Sequence, residues 1–293
     1  MKGLLNISVV KETVRAYFDL TKFRLSSTVV FSSAIGFMLG STSIHYGLLV
    51  LFALAAFLTT AAANVVNQIW EKDLDKLMSR TENRPLPSGR LTVQESLVFL
   101  IVCLVISQFI LIYYFNIKTA GIALLSFGLY GFVYTPLKRY GPIAVAVGAI
   151  PGAFPPMIGW LAATNQFGLE PGILFGIQFF WQFPHFWAIA WVLDEDYKKA
   201  GFRLLPSSGG RDLNSAFLIM IYTLILLPLC WVPFYLGMTG INSAMIAMLV
   251  SVLFLVQTFH LMRKMDKKSA LQLMFGSFIY LPVVQIAYLL DKL

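Results

Sequence analysis

Residues 67–89 read NQIWEKDLDKLMSRTENRPLPSG and follow directly on GLLVLFALAAFLTTAAANVV at 47–66. About twenty apolar residues suffice to cross ~30 Å of hydrocarbon as a helix. The next stretch then places Glu71, Lys72, Asp73, Asp75, Lys76, Arg80, Glu82 and Arg84 within fourteen residues, in a chain that is 58% hydrophobic and 12% charged. If the helix runs on past the hydrocarbon, Asn67, Glu71 and Asp75 fall at every fourth position and share one face, drifting about 40° per step. Asp73 then points to the opposite side. RPLPSG at 84–89 ends the helix, because two prolines and a glycine cannot continue it. A solvated loop with local ion pairs, Glu71 with Lys72 for example, accounts for many such charge runs. Two carboxylates and an amide oxygen in one stripe also suit a hard divalent cation. Mg²⁺ takes oxygen ligands, usually one or two carboxylates, and completes its shell with water and substrate phosphate. Lys76, Arg80 and Arg84 lie just beyond, and an arginine fork matches phosphate.

Outward from this stretch the chain reads as a polytopic membrane protein, with mean hydropathy +0.76. Nine segments are long and apolar enough to be expected as spans: 26–44, 47–66, 92–114, 119–137, 142–163, 171–193, 214–237, 241–262 and 270–290. Backbone groups in lipid must be satisfied within the segment, so helices are predicted. The runs do not alternate as barrel strands do. The fold class is therefore all-α, one membrane-embedded domain over 1–293, with residues 1–25 as an N-terminal segment. That segment lacks a 7–15-residue apolar run and a small-residue cleavage site, so no removable signal peptide is expected.

The basic residues orient the bundle. Lys2, Lys11, Arg15, Lys22 and Arg24 precede the first span, and most others lie in the second, fourth, sixth and eighth connections. In all, 20 of the 22 Lys and Arg fall on one face, with Lys118 and Lys292 on the other. By the positive-inside rule the N-terminus is cytoplasmic and the C-terminus outside. The net charge of +8 is thus topological, and no nucleic-acid partner is implied. Cys103 and Cys230 lie in apolar segments and read as small buried residues, not as a disulfide or metal framework.

A second polar cluster closes the sixth span, FFWQFPHFWAIAWVLDEDYKKAG at 179–201. Asp194, Glu195 and Asp196 do not repeat the four-residue spacing, but opposite the first cluster Asp194 and Asp196 are candidates for a second Mg²⁺ position. His185 lies nine residues from that acidic end, some 13 Å at ~1.5 Å per residue, and an ionisable side chain at that depth is a functional candidate. A histidine hydrogen-bonded to a neighbouring helix is the plainer reading. Phe179, Phe180, Trp181, Phe183, Phe186, Trp187 and Trp191 surround it, either as packing or as the wall of a flat hydrophobic acceptor. GAIPGAFPPMIGW at 148–160 puts three prolines into the fifth span. Broken helix at depth is tolerated where protein or a cavity covers it, so this span is expected to line the interior.

The first polar stretch resembles the first Asp-rich motif of the UbiA superfamily of intramembrane prenyltransferases. Glu71, where most members have Asp, together with Met78, resembles its protoheme IX farnesyltransferase (heme O synthase) branch. WQFPHFWAIAW with DYKKAG and LLP resembles the same branch, in which Met more often stands at the position of Leu204. YTPLKRYGP at 134–142 resembles the superfamily's Tyr–Lys element near the diphosphate. LTKFRL at 20–25 resembles an N-terminal Leu-Thr-Lys-Pro-Arg motif with Phe23 in place of Pro. The likeness runs over about 20–290.

The resemblance implies a UbiA-like bundle around a central cavity in a bacterial-type inner (cell) membrane, with the active site at its cytoplasmic face. It implies Mg²⁺ as cofactor, with farnesyl diphosphate and heme b as substrates. The 2-vinyl group of heme b would attack farnesyl C1, and water would then quench the cation to give a hydroxyethylfarnesyl chain. Asn67, Glu71 and Asp75 would hold the metal, with Asp194 and Asp196 at the second position. Arg80, Arg84, Lys138, Arg139, Tyr134, Tyr197 and Lys198 would meet the diphosphate, and His185 the porphyrin or its iron. Heme A synthase or cytochrome oxidase assembly proteins are the candidate recipients of the product. A prenyltransferase for an aromatic or quinone precursor is the alternative enzyme, and a heme carrier or a transporter the alternative from another class. A transporter needs acids at mid-depth in several helices, whereas here they cluster at one face.

Overall fold

A computed structural model describes residues 7–293, so Lys2 and the start of the N-terminal segment lie outside the described residues. The chain is helical throughout, and its only β-type pairing among the described residues is the isolated Thr239–Lys292 bridge. An amphipathic α1 (Ile7–Leu20) buries Ala16 and Leu20 and leaves Val14 and Phe18 exposed, a pattern suited to a membrane interface. The long helices follow: α2 (Phe23–Gly40), α3 (Tyr46–Asp75), and α4 (Val93–Ile110), which continues through a π-helical turn at Leu111–Phe115. α5 (Ile117–Gly128) passes through a second π-helical stretch, Leu129–Tyr134, into the short α6 (Thr135–Leu137). Then come α7 (Ile143–Thr164), α8 (Leu169–Val192), the short α9 (Asp194–Lys199), α10 (Leu213–Leu229), the short α11 (Val232–Tyr235), α12 (Ile241–Lys264) and α13 (Lys267–Leu290).

Every segment expected to span has a helix, but the count of nine spans is not reproduced: among the described residues, eight helices are long and apolar enough to cross a membrane. The exception is α8, at 24 residues as long as the others. Gln178, Gln182, His185 and three tryptophans lower its hydropathy. Protein surrounds it: α8 packs against α7, α10 and α13, and its polar side chains bond other helices.

α7 is a continuous helix, not a broken one, and its prolines account for that polarity. A proline lacks the N–H that would bond the carbonyl four residues back. Pro155 frees the Pro151 carbonyl, which accepts from the Ser126 hydroxyl of α5 at 3.1 Å. Pro156 frees the Gly152 carbonyl, which accepts from Gln178 Nε2 of α8 at 2.8 Å. Gln182 Nε2 donates to the Ala149 carbonyl at 3.0 Å. Neighbouring helices thus satisfy the opened backbone, as lipid requires. Gln178 also accepts from Ser32 of α2 at 2.6 Å and from Gln285 of α13 at 3.1 Å, so one buried amide ties four helices together.

Two glycines set how closely α2 meets α7. A Cβ on Gly36 would lie 2.0 Å from the Pro156 carbonyl oxygen, and one on Gly159 would lie 1.9 Å from that of Ser33. Small residues of this kind let membrane helices touch backbone to backbone. The helices α2, α3, α5, α7, α8 and α13 enclose a central chamber of about 370 Å³. The expectation that α7 lines the interior holds, with Gly148, Pro151, Gly152, Pro155 and Ile158 on the chamber wall.

Replacing Gly36 or Glycine's counterpart Gly159 by Leu is expected to force α2 from α7. Detergent-solubilised protein should lose about 1–3 kcal/mol or more of stability, read as a lowered thermal unfolding midpoint. An unchanged midpoint would show that this contact does not set the packing.

Candidate active site

α3 runs nine residues beyond the expected span, as one uninterrupted helix to Asp75. Asn67, Glu71 and Asp75 form the predicted stripe and are 1%, 5% and 0% exposed. Asp73 points away, with its side chain 77% exposed and paired only with Lys76. Burying carboxylates without partners is costly, and the fold brings each of the three oxygens a cation from a different segment. Lys22 Nζ, between α1 and α2, donates to Asn67 Oδ1 at 2.6 Å. Lys138 Nζ, just after α6, donates to Glu71 Oε1 at 2.8 Å. Arg84 Nη1 donates to both Asp75 oxygens, at 2.9 and 2.7 Å. The local pair Glu71–Lys72 does not form.

Lys22 was not among the expected site residues, although its stretch LTKFRL was. It is held in the left-handed region at φ 50°, a conformation with a cost for a side-chain-bearing residue. Amides of α3 fix that turn: Gln68 Nε2 donates to the Leu20 carbonyl at 2.7 Å and Asn64 Nδ2 to the Thr21 carbonyl at 3.2 Å. Burial, then repulsion from Arg84, pushes the Lys22 pKa well below its ordinary value, with Glu71 pulling the other way. Burial also works to lower the Lys138 pKa, yet the Glu71 carboxylate beside it holds that ammonium above the usual lysine range. Lys22 is therefore the cation with the least counter-charge of the two.

These groups line a cavity of about 640 Å³. Its wall includes Lys22, Arg24, Arg80, Arg84 and Lys138 against Asp19, Glu71 and Asp75, an excess of positive charge suited to an anion. Tyr134 and Tyr197, both expected, line it, and so does Tyr130, which was not. The π-helical stretch carries Tyr130 and Tyr134 with ring centroids 5.3 Å apart; such widened turns recur at functional sites. The Lys138 ammonium stands 4.7 Å from the Tyr134 ring centroid, so that face already meets a positive charge. Leu25, Tyr130, Tyr134, Phe186 and Ile189 border both this cavity and the central chamber. The polar cavity therefore opens inward onto a largely apolar one.

Four expected residues are not brought to the cavity wall. Arg139 is exposed. Lys198 pairs with Asp194 at 2.7 Å, and Arg211 stands 3.6 Å from the same carboxylate. Asp196 accepts from the backbone N–H of Ser79 and from Lys199, both at 3.1 Å. That ties the 76–91 loop to α9, and Met78 packs with Ala200 and Phe202 beside the tie. Among the described residues no three His, Cys, Asp or Glu side chains converge as a metal cluster. Of the aromatic run, Trp181, Phe186 and His185 line the chamber. Phe183 and Trp187 instead pack on Tyr222 of α10, at 4.3 and 5.1 Å.

With this geometry in hand, the comparisons with known proteins agree. Residues 29–281 match the UbiA prenyltransferase family. A protoheme IX farnesyltransferase of Cytophaga hutchinsonii is 54% identical over 95% of this chain and 98% of its own. One from Flavobacterium psychrophilum is 43% identical over 100% and 99%. Among solved structures, digeranylgeranylglyceryl phosphate synthase aligns with a TM-score of 0.79 at 21% identity, over 96% of this chain and 98% of that one. A UbiA homolog from Archaeoglobus fulgidus bound to DMAPP and Mg²⁺ aligns at 0.70 and 18% identity, over 93% and 98%. These two structures share the fold.

Asp196→Ala is expected to release the 76–91 loop. Limited trypsin digestion should then cut after Lys76 or Arg80 several-fold faster than in the unaltered protein; equal rates would show that the tie to α9 is not what holds the loop.

Proposed function

The chain belongs to the UbiA prenyltransferase family, and from that premise we infer that it transfers a farnesyl group from farnesyl diphosphate to the 2-vinyl group of heme b. Water adds in the same reaction, giving heme O and diphosphate. Its relatives at 54%, 43% and 44% identity over nearly the whole chain are protoheme IX farnesyltransferases. The observation that carries the reading onto residues is the α3 stripe, three buried oxygens each held by a cation at the wall of one cavity.

The donor set fits magnesium. Asn67 Oδ1, Glu71 and Asp75 are hard oxygen donors that already hold positive charge at hydrogen-bond distance. Two carboxylates suffice where substrate phosphate completes the shell, so no cluster of three acids is required. Bound there, Mg²⁺ would supply neutralisation of the charge that gathers on the departing diphosphate. Lys22, Arg80, Arg84 and Lys138 would bind the diphosphate and hold it in place; each of the three that pair with α3 has a donor to give up for phosphate oxygen. Preorganised cations in an enclosed site stabilise that charge far better than water does. The faces of Tyr130 and Tyr134 would stabilise the farnesyl cation at the border of the two cavities, and the apolar chamber would shelter hydrocarbon and porphyrin, with His185 against the latter. The vinyl group bonds to farnesyl C1 as the carbon–oxygen bond to diphosphate breaks, and water captures the resulting heme-side cation with loss of a proton. Asp194, Asp196 and Lys198 would act indirectly, by fixing α9 and the loop over the cavity. Tyr197, on the wall, would orient the diphosphate.

The protein is integral to a membrane. We place it, as a single domain, in a bacterial-type inner membrane with the N-terminus cytoplasmic, the C-terminus outside and the site on the cytoplasmic face. The support is the crowding of basic residues at the end of the bundle that carries the site. Heme A synthase or an oxidase assembly protein is the recipient the resemblance suggests.

Purified protein given farnesyl diphosphate, heme b and Mg²⁺ should release diphosphate and yield a heme heavier by a farnesyl and a hydroxyl group; chelation should stop the reaction and added Mg²⁺ restore it. Asp75→Asn should lower turnover by at least ~10²-fold while the protein still inserts, and near-normal activity would remove Asp75 from the metal site. Lys22→Met should raise the KM for farnesyl diphosphate more than that for heme, whereas equal changes would mark Lys22 as structural.

A further inference from the structure

His185 is held on several sides. Its ring lies against that of Trp181, centroids 4.5 Å apart and planes 20° off parallel, and Phe278 of α13 meets it edge-on at 4.9 Å. Its Nδ1 stands 2.8 Å from the hydroxyl of Ser277, also on α13. That hydroxyl has a single proton, which it donates to the Met274 carbonyl at 2.6 Å. Toward His185 it is left only to accept. Nδ1 therefore carries the ring proton and Nε2 the lone pair, the assignment following from the hydrogen-bond network. No protein group among the described residues bonds Nε2. The chamber that His185 lines has no Asp, Glu, Lys or Arg on its wall, so an imidazolium there would lack a counter-charge. The site thus accommodates a neutral imidazole with its free nitrogen unpaired.

That is the state in which histidine binds a metal, with the other ring nitrogen donating to a fixed acceptor that sets tautomer and direction. We propose that Nε2 of His185 is an axial ligand to the iron of the bound heme, and that Ser277 is the positioning residue that aims it. The proposal rests on heme being the acceptor, as read above. The dative bond uses the Nε2 lone pair, displaces whatever weak ligand the iron carried in, and moves no proton. Tyr130 and Tyr134 are the other chamber-lining side chains that heme iron accepts, but they stand at the polar border, Tyr134 with Lys138 on its face. Phe186, next to His185, and Ile189, one turn on, line both cavities. A porphyrin anchored at His185 therefore has its edge toward the place where the diphosphate is held. Iron ligation would fix the centre of the ring and leave the cavity walls to select which vinyl group faces farnesyl C1.

Ferric heme b titrated into the purified protein without farnesyl diphosphate tests this by absorption, electron paramagnetic resonance and resonance Raman spectroscopy. The unaltered protein should give a histidine-ligated spectrum distinct from heme in detergent alone. His185→Ala should lose it while still binding farnesyl diphosphate, whose charged cavity His185 does not line, which a misfolded variant could not do. Ser277→Ala should keep the ligation but weaken heme affinity by ~10–100-fold and, after reduction of the iron with dithionite, lower the iron–histidine stretching frequency, while Ser277→Thr, which keeps the hydroxyl, should restore both. A heme spectrum unchanged in His185→Ala overturns the proposal. Farnesyl transfer by the unaltered protein is assayed separately, so failure there sinks the reaction assigned above and not the ligation alone.

Discussion

The need to give three buried oxygens a positive partner shapes this protein more than any other constraint. α3 leaves the hydrocarbon and continues as helix, carrying Asn67, Glu71 and Asp75 into protein. None of their cations is a neighbour on the helix. Lys22 comes from the turn into α2, Arg84 from the loop after α3, and Lys138 from beyond α6. A buried ion pair gives little net stability, because desolvation opposes the attraction. Removing one partner is far worse than keeping both. The arrangement therefore fixes the relative places of distant segments, and it gathers in one cavity the charges that the proposed diphosphate and its metal would need.

A second constraint acts deeper. Membrane helices cannot leave backbone carbonyls open, yet α7 contains three prolines. Gln178 of α8 and a serine of α5 close the gaps that Pro156 and Pro155 leave, and Gln182 of α8 adds a bond to the Ala149 carbonyl. This explains why α8 carries buried amides and is more polar than an ordinary span, and why it lies among other helices. Gly159 of α7 and Gly36 of α2 let the two helices come near, so the centre of the bundle is made of backbone and small side chains with a chamber between them. Tightness on one side of α7 and space on the other have the same origin, the scarcity of large side chains along that helix.

The two cavities share a border of Tyr130, Tyr134, Phe186 and Ile189 with Leu25. A charged opening that leads to an apolar interior fits a ligand with a polyanionic head and a hydrocarbon tail. Placing the aromatic faces at that junction puts their negative surfaces where, in the proposed reaction, an allylic cation would form. The 76–91 loop, tied to α9 through Asp196 and Ser79, covers the charged end.

Much of this was legible in the chain. Hydropathy located all nine long helices, since roughly twenty consecutive apolar residues leave a chain few alternatives in lipid, and four-residue spacing put Asn67, Glu71 and Asp75 on one face. The motif likeness led to the family. Partners were not legible: Lys72 is the basic residue next to Glu71 in sequence, and only the packed bundle brings in Lys138 from 67 residues away. Lys22, Tyr130 and Ser277 were overlooked for the same reason, each meaning little until another helix lies against it. Asp194 and Asp196 went the other way, since acidity alone does not show that a side chain faces its neighbour and not the cavity. Periodicity and polarity are properties of a segment, so sequence determined the helices and their faces. Which charge meets which oxygen depends on how those faces meet, and that was decided by tertiary packing.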